Sequence, residues 1–79
     1  MAKDPYEKAN RMLEELEKDY FPTLSIYREK GGDIDVFADF RNRLLELEDY
    51  IEDLPPDDRQ FEIRNEIVAF TNAINCLIH

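Results

Sequence analysis

Between Ile67 and Ile78 the chain carries no charged side chain, although elsewhere charged residues recur every few positions. The largest residues in and before this stretch, Ile63, Ile67, Phe70, Ile74 and Leu77, alternate in steps of four and three. That spacing lines up side chains along one side of an α-helix. The segment therefore predicts a core helix, and any fold of the chain has to supply apolar partners for it.

Two other segments supply them. Phe37, Phe40, Leu44, Leu47, Ile51 and Leu54 form a three-four repeat with no polar member. Tyr6, Ala9, Leu13, Leu16, Tyr20, Thr23 and Tyr27 form another, rich in tyrosine, whose ring can be buried while the hydroxyl stays at a wet rim. Three seams of this kind, joined by short connections, predict an all-α fold: a small antiparallel three-helix bundle with its seams converging on one core. The expected helices cover about 5–30, 35–54 and 56–78, within a single domain over 1–79.

The boundaries follow from local chemistry. Asp4, Pro5 and Glu7 mark a helix start, with an acceptor at the cap, a fixed φ at the first helical position and an acid three residues after the cap. Pro22 lacks an N–H, and its ring crowds the carbonyl of Lys18, so helix 1 is expected to kink or break there. Gly31 and Gly32 end that element. Asp33 or Asp35 caps helix 2, Pro55 stops it, and Pro56 is the expected first residue of helix 3, with Asp57 and Asp58 at its positive end. Cys76, the only cysteine, excludes an intrachain disulfide and reads as a small buried hydrophobe in the apolar helix; the other reading is a contact with its own copy near a dimer axis.

A net charge of −9 and a pI near 4.4 repel phosphates and anionic lipid, so direct nucleic acid binding and membrane binding are not expected. The chain has no run of roughly 20 apolar residues and no signal-like N-terminus, which predicts a cytoplasmic protein. The natural electrostatic complement is a basic protein surface.

Two surfaces carry functional expectations. On helix 2, Asp39, Glu46, Asp49 and Asp53 recur at helical spacing opposite the seam, with Glu48 and Glu52 beside them and Asp57 and Asp58 in the turn that follows. Few bases lie among them, Arg59 being the nearest expected one, and carboxylates spaced about 5–10 Å apart along about 21 Å of helix resemble the phosphates of a nucleic acid strand. On helix 3, Asn65, Val68, Thr71, Asn72, Asn75 and His79 form a polar but uncharged strip, as at the centre of a protein interface.

No catalytic residues, no metal ligands and no cofactor are expected. One histidine and one cysteine do not make a Cys-His pair, and no Gly-rich phosphate loop occurs. Asp33, Asp35 and Asp39 begin like a calcium loop, but the third acid comes two positions late and the turn glycine is absent. Glu14-x-x-Glu17 followed by Glu46-x-x-Asp49 resembles the paired carboxylates of the all-α MazG-type nucleotide pyrophosphohydrolases. That resemblance covers four positions and implies acids holding Mg²⁺ against a nucleotide's phosphates. Such ligands must converge, whereas the periodicity places Glu46 and Asp49 opposite the helix 2 seam and Glu14 beside that of helix 1.

The residues thus favour a small acidic, non-enzymatic binding protein that engages a basic surface of a partner protein, as an inhibitor, an immunity or antitoxin-like factor or a nucleic acid mimic. The alternative is a structural or adaptor subunit that forms a homodimer or helical assembly through helix 3.

Overall fold

The Asp4 carboxylate accepts a hydrogen bond from the Tyr6 N–H at 3.0 Å, and Pro5 occupies the first helical position. From this start a single helix, α1, runs over Pro5–Glu29 in the computed structural model, which describes residues 4–78. Of the two outcomes expected at Pro22, a break does not occur: α1 is continuous through it. One lost N–H bond near the exposed Pro22 is outweighed by the seam on both sides, where Leu16 is buried and Tyr20, Leu24 and Tyr27 pack against the core.

Helix α1 ends in a two-bond glycine cap. The Gly31 N–H donates to the Arg28 carbonyl at 3.2 Å and the Gly32 N–H to the Tyr27 carbonyl at 2.9 Å, with φ of 72° and 86° at the two glycines. This is the pairing in which a left-handed residue satisfies the last carbonyls of a helix.

Helix 2 does not start at residue 35. Asp33 accepts from the Asp35 N–H at 3.0 Å and caps a 3₁₀ turn over Ile34–Phe37, and α2 then spans Ala38–Glu52. Helix 3 likewise starts later than expected. Asp58, not Pro56, is its first residue, and Asp57 caps it: the Asp57 carboxylate accepts from the Arg59 N–H at 2.9 Å and its carbonyl from the Gln60 N–H at 3.0 Å, so α3 covers Asp58–Ile78. The proline at 56 pushes Pro55 into extended backbone, and the carboxylate of Asp57 competes well as a cap. The Gln60 side chain also donates to the Ile51 carbonyl at 2.8 Å, closing the end of α2.

Cross-helix contacts fix the topology. Tyr6 donates to the Pro55 carbonyl and Tyr50 to the Pro5 carbonyl, so the start of α1 meets the end of α2. Tyr27 donates to the Leu77 carbonyl at 3.0 Å, so the ends of α1 and α3 coincide. The bundle is up-down-up, with α2 antiparallel to both neighbours. The Tyr6 and Tyr27 hydroxyls therefore do not simply meet water at a rim; they satisfy the carbonyls of Pro55 and Leu77, which have no intrahelical partner.

All three seams supply the core: Tyr6, Ala9 and Leu16; Phe37, Phe40, Leu44, Leu47 and Ile51; Ile63, Ile67 and Ile74. Each large member contributes about 1.5–3 kcal/mol by leaving water. At the far end of the bundle Tyr20, Tyr27, Phe37, Phe40 and Phe70 form an aromatic cluster with centroid separations of 5.3–6.4 Å. Phe70 is only half-buried there, and Cys76 is exposed rather than buried. Cys76 falls well off the line of Ile67, Ile74 and Leu77, so the lack of charge in this stretch does not mean burial on every side.

Candidate interaction surfaces

Charge is unevenly divided along the chain. Residues 33–79 hold 12 acidic and four basic side chains, which is −8 of the net −9. Three of those four bases, Arg43, Arg59 and Arg64, are drawn into partly exposed ion pairs with acids of the same chain, which decides how much of the acidic surface is left open.

Arg59 is the most engaged. Its Nε and one terminal nitrogen grip both oxygens of Asp57 at 3.1 and 3.0 Å, its other terminal nitrogen donates to Asp4, and the guanidinium lies 4.7 Å from the centre of the Tyr6 ring. One side chain thus ties the caps of α1 and α3 together over a buried ring. Hydrogen bonds from the Arg59 side chain and backbone hold the Asp57 carboxyl down at about 2. The Asp4 carboxyl is lowered by the Tyr6 N–H and then by Arg59. The Tyr6 phenol is raised, first by burial and then by the charge of Asp57. Asp57 is therefore a structural cap, not an open carboxylate of the acidic stripe.

The rest of the stripe divides along the sides of α2. Asp39, on the side facing α1, lies 3.7 Å from Arg43 Nε, while Arg43 reaches across to Asp19 of α1 at 2.7 Å. Glu46 borders a cleft with Met12, Glu15, Leu16 and Arg43. Glu52, on the side facing α3, sits 3.5 Å from Arg64. Asp49 points outward between these two sides, Asp53 follows the last turn of α2, and Asp58 opens α3; all three are exposed. Among the described residues Glu46, Asp49, Asp53 and Asp58 form no ion pair. Of the eight acids, four are open carboxylates, two are in surface pairs, one is a cap, and Glu48 borders the α2–α3 cleft.

The strip on α3 is solvent-facing throughout: Asn65, Val68, Thr71, Asn72 and Asn75 are all exposed. His79 lies outside the described residues. The Thr71 hydroxyl donates back to the Ile67 carbonyl at 2.9 Å. Thr71 and Asn75 also flank a cleft of about 110 Å³ between α2 and α3, with buried Leu44, Ile67 and Ile74 along its floor and Leu45, Arg41 and Glu48 on the α2 side. Two residues beside this face do not stand out from the seams. Leu45 is 59% and Phe61 61% exposed, and Val68 is 50% exposed. The signal for Phe61 and Val68 in the sequence is a second three-four line on α3, Phe61, Asn65, Val68, Asn72 and Asn75, parallel to the core seam and free of charge; Leu45, on α2, has no such line.

The acids of the pyrophosphohydrolase-like pattern do not assemble. Glu14 and Glu17 are exposed on α1, Glu46 faces Glu15 rather than Glu14, and Asp49 points away from α1. Among the described residues no three His, Cys, Asp or Glu side chains are grouped so as to hold a metal ion, and no helix is long and apolar enough to cross a membrane. Comparison with known proteins brings no match from any family model, curated protein or solved structure.

Proposed function

We propose that this chain is a non-enzymatic binding protein that uses the outer surface of α2 and the start of α3 to engage a basic surface on a partner protein. The observation that carries the reading is the division of charge just described. Residues 33–79 concentrate the negative charge, and the fold consumes three of their four arginines internally, leaving Glu46, Asp49, Asp53 and Asp58 exposed and without an ion partner among the described residues. A surface only required to stay soluble gains from mixing signs at i,i+4 spacing. Here the mixing is directed inward, and an outward field of one sign steers a cationic partner and raises its association rate.

Single exposed pairs are worth only about 0–1 kcal/mol, so the test treats the surface as a set. The variant Glu46→Gln, Asp49→Asn, Asp53→Asn, Asp58→Asn is expected to keep its helicity and to associate at least about tenfold more slowly at low salt with a basic protein captured by the wild type from its host. Added salt should bring the wild type down to the same rate. A captured partner that binds the variant at the wild-type rate, with no salt dependence, would rule the reading out.

A further inference from the structure

The acidic reading leaves one surface unused, and its chemistry points the other way. The face of α3 that carries Phe61, Val68, Asn72 and Asn75 is continuous with Leu45 across the α2–α3 cleft, and it exposes apolar side chains where the rest of residues 33–79 exposes carboxylates. We propose that this face binds a second copy of the chain, with the two α3 helices antiparallel about an axis near Val68 and Phe61 of each copy seated in the α2–α3 cleft of the other.

Four observations select this occupant. First, knob and cleft lie on the same helix: Phe61 and Asn75 are 14 residues apart, about 21 Å along α3, with Val68 midway. A two-fold axis at Val68 brings Phe61 of one copy to Asn75 of the other and does the same in reverse, the reciprocity a closed dimer requires. Second, the sizes agree. The cleft measures about 110 Å³ and opens to one side, and an enclosed apolar cavity of about 150 Å³ accepts a benzene ring.

Third, the charges agree. Two chains of −9 repel each other over most of their surfaces, and the uncharged face is where they can approach. The one base of residues 33–79 with no ion pair among the described residues, Arg41, stands at the cleft. Glu48 lines the same cleft, so the rim that meets the incoming ring carries one base and one acid and no net charge. Fourth, Asn65 and Asn72 alternate with Val68 at three-four spacing. An amide both donates and accepts, so it can pair with its own kind across a two-fold axis, and asparagine in such a seam fixes register rather than adding strength.

The arrangement leaves Glu46 and Asp53, on the α1 side of α2, uncovered; of the acidic surface only Asp58, three residues before Phe61, lies beside it. It also places the two copies of Cys76 on opposite sides of the axis, eight residues from it, too far apart to be bridged.

Light scattering and sedimentation equilibrium on the wild-type protein, from micromolar to several hundred micromolar, test the proposal. The mass is expected to approach twice 9.4 kDa, and the dimer to tighten as salt screens the repulsion. Phe61→Ala and Leu45→Lys, both at exposed positions, should weaken association at least tenfold with unchanged circular dichroism. In a Cys76→Ser background, Val68→Cys should oxidise to a disulfide-linked dimer, whereas the wild-type Cys76 should not. A wild type that stays monomeric over the whole range overturns the proposal. So does a dimer that is indifferent to Phe61→Ala, or one that crosslinks through the wild-type Cys76 and not through the thiol introduced by Val68→Cys, since either would use another face.

Discussion

Phe37 is the position where the packing argument is most exposed to refutation. It is fully buried, with aromatic neighbours on three sides: Tyr27 at 5.5 Å, Phe40 at 6.1 Å and Tyr20 at 6.4 Å. It also closes the 3₁₀ turn, where α2 begins without a side-chain cap. Phe37→Ala removes a ring that neither α1 nor α2 can move in to replace, so both the transfer and the cavity contributions are lost, about 3–5 kcal/mol together. A chain of 79 residues has a total stability on the order of 4–12 kcal/mol. The variant should therefore be barely folded or unfolded at 37 °C. Phe37→Leu keeps most of the volume and loses the ring contacts, for about 1–2 kcal/mol, or roughly 4–16 °C in Tm for a domain of this size. Phe21 is the control: 71% exposed, with a single edge contact to Tyr20, it should change stability by no more than about 0.5 kcal/mol as Phe21→Ala. Urea titrations followed by circular dichroism read all three, at constant m-value. A cost for Phe37→Ala below about 1 kcal/mol, or one equal to that of Phe21→Ala, would mean that the aromatic end is not packed as described.

Two further predictions concern the ends of the helices. Because the Asp57 carboxyl is held down at about 2, its contribution to stability is complete above the ordinary carboxylate range near pH 4 and is lost as pH falls through 2; Arg59→Gln should flatten that slope and move the Asp57 titration, followed by NMR, upward but short of the usual range, because the backbone N–H at 59 still donates to the carboxylate. Gly31→Ala should cost about 1–2 kcal/mol, because a Cβ there would meet no atom within 4 Å and the whole penalty comes from the φ of 72°; a urea titration showing no loss would mean that the glycine cap does not hold in solution.

What the sequence shows of this fold depends on the range over which a signal acts. The seams are legible because each repeats within one helix, and Phe40, Leu44, Leu47, Ile51, Ile63, Ile67 and Ile74 are buried as their spacing predicts. Asp4 and the two glycines are legible for the same reason, since a cap is a contact between near neighbours. The ion pairs are not. Arg43 meets Asp19 from 24 positions away and Arg59 meets Asp4 from 55, and no periodicity links them. Sequence spacing therefore describes Glu52 and Asp57 as open carboxylates, when the first lies beside Arg64 and the second is a cap; Asp39 differs, since its partner Arg43 follows at i,i+4 spacing. Leu45 and Phe61 are hard to read for the opposite reason: a seam marks apolar residues by their alignment, and these two lie off the core lines.

The placement of the arginines links the two proposed surfaces. Arg59 sits where both caps and the Tyr6 ring can use its planar group at once, so its charge is spent on closing one end of the bundle. Arg43 is spent on the α1–α2 seam and Arg64 on Glu52. Had these bases been lysines pointing to solvent, the same net charge would be spread over a surface of mixed sign, with shorter acidic runs. With these bases held in ion pairs within the chain, α2 keeps an acidic outer side, and the uncharged side of α3 is a surface where like chains can meet with little repulsion. Binding a cationic partner and pairing with a second copy are then separable by one variable. Added salt screens attraction in the first and repulsion in the second, so an ionic-strength series on the wild-type protein should weaken one contact while it strengthens the other.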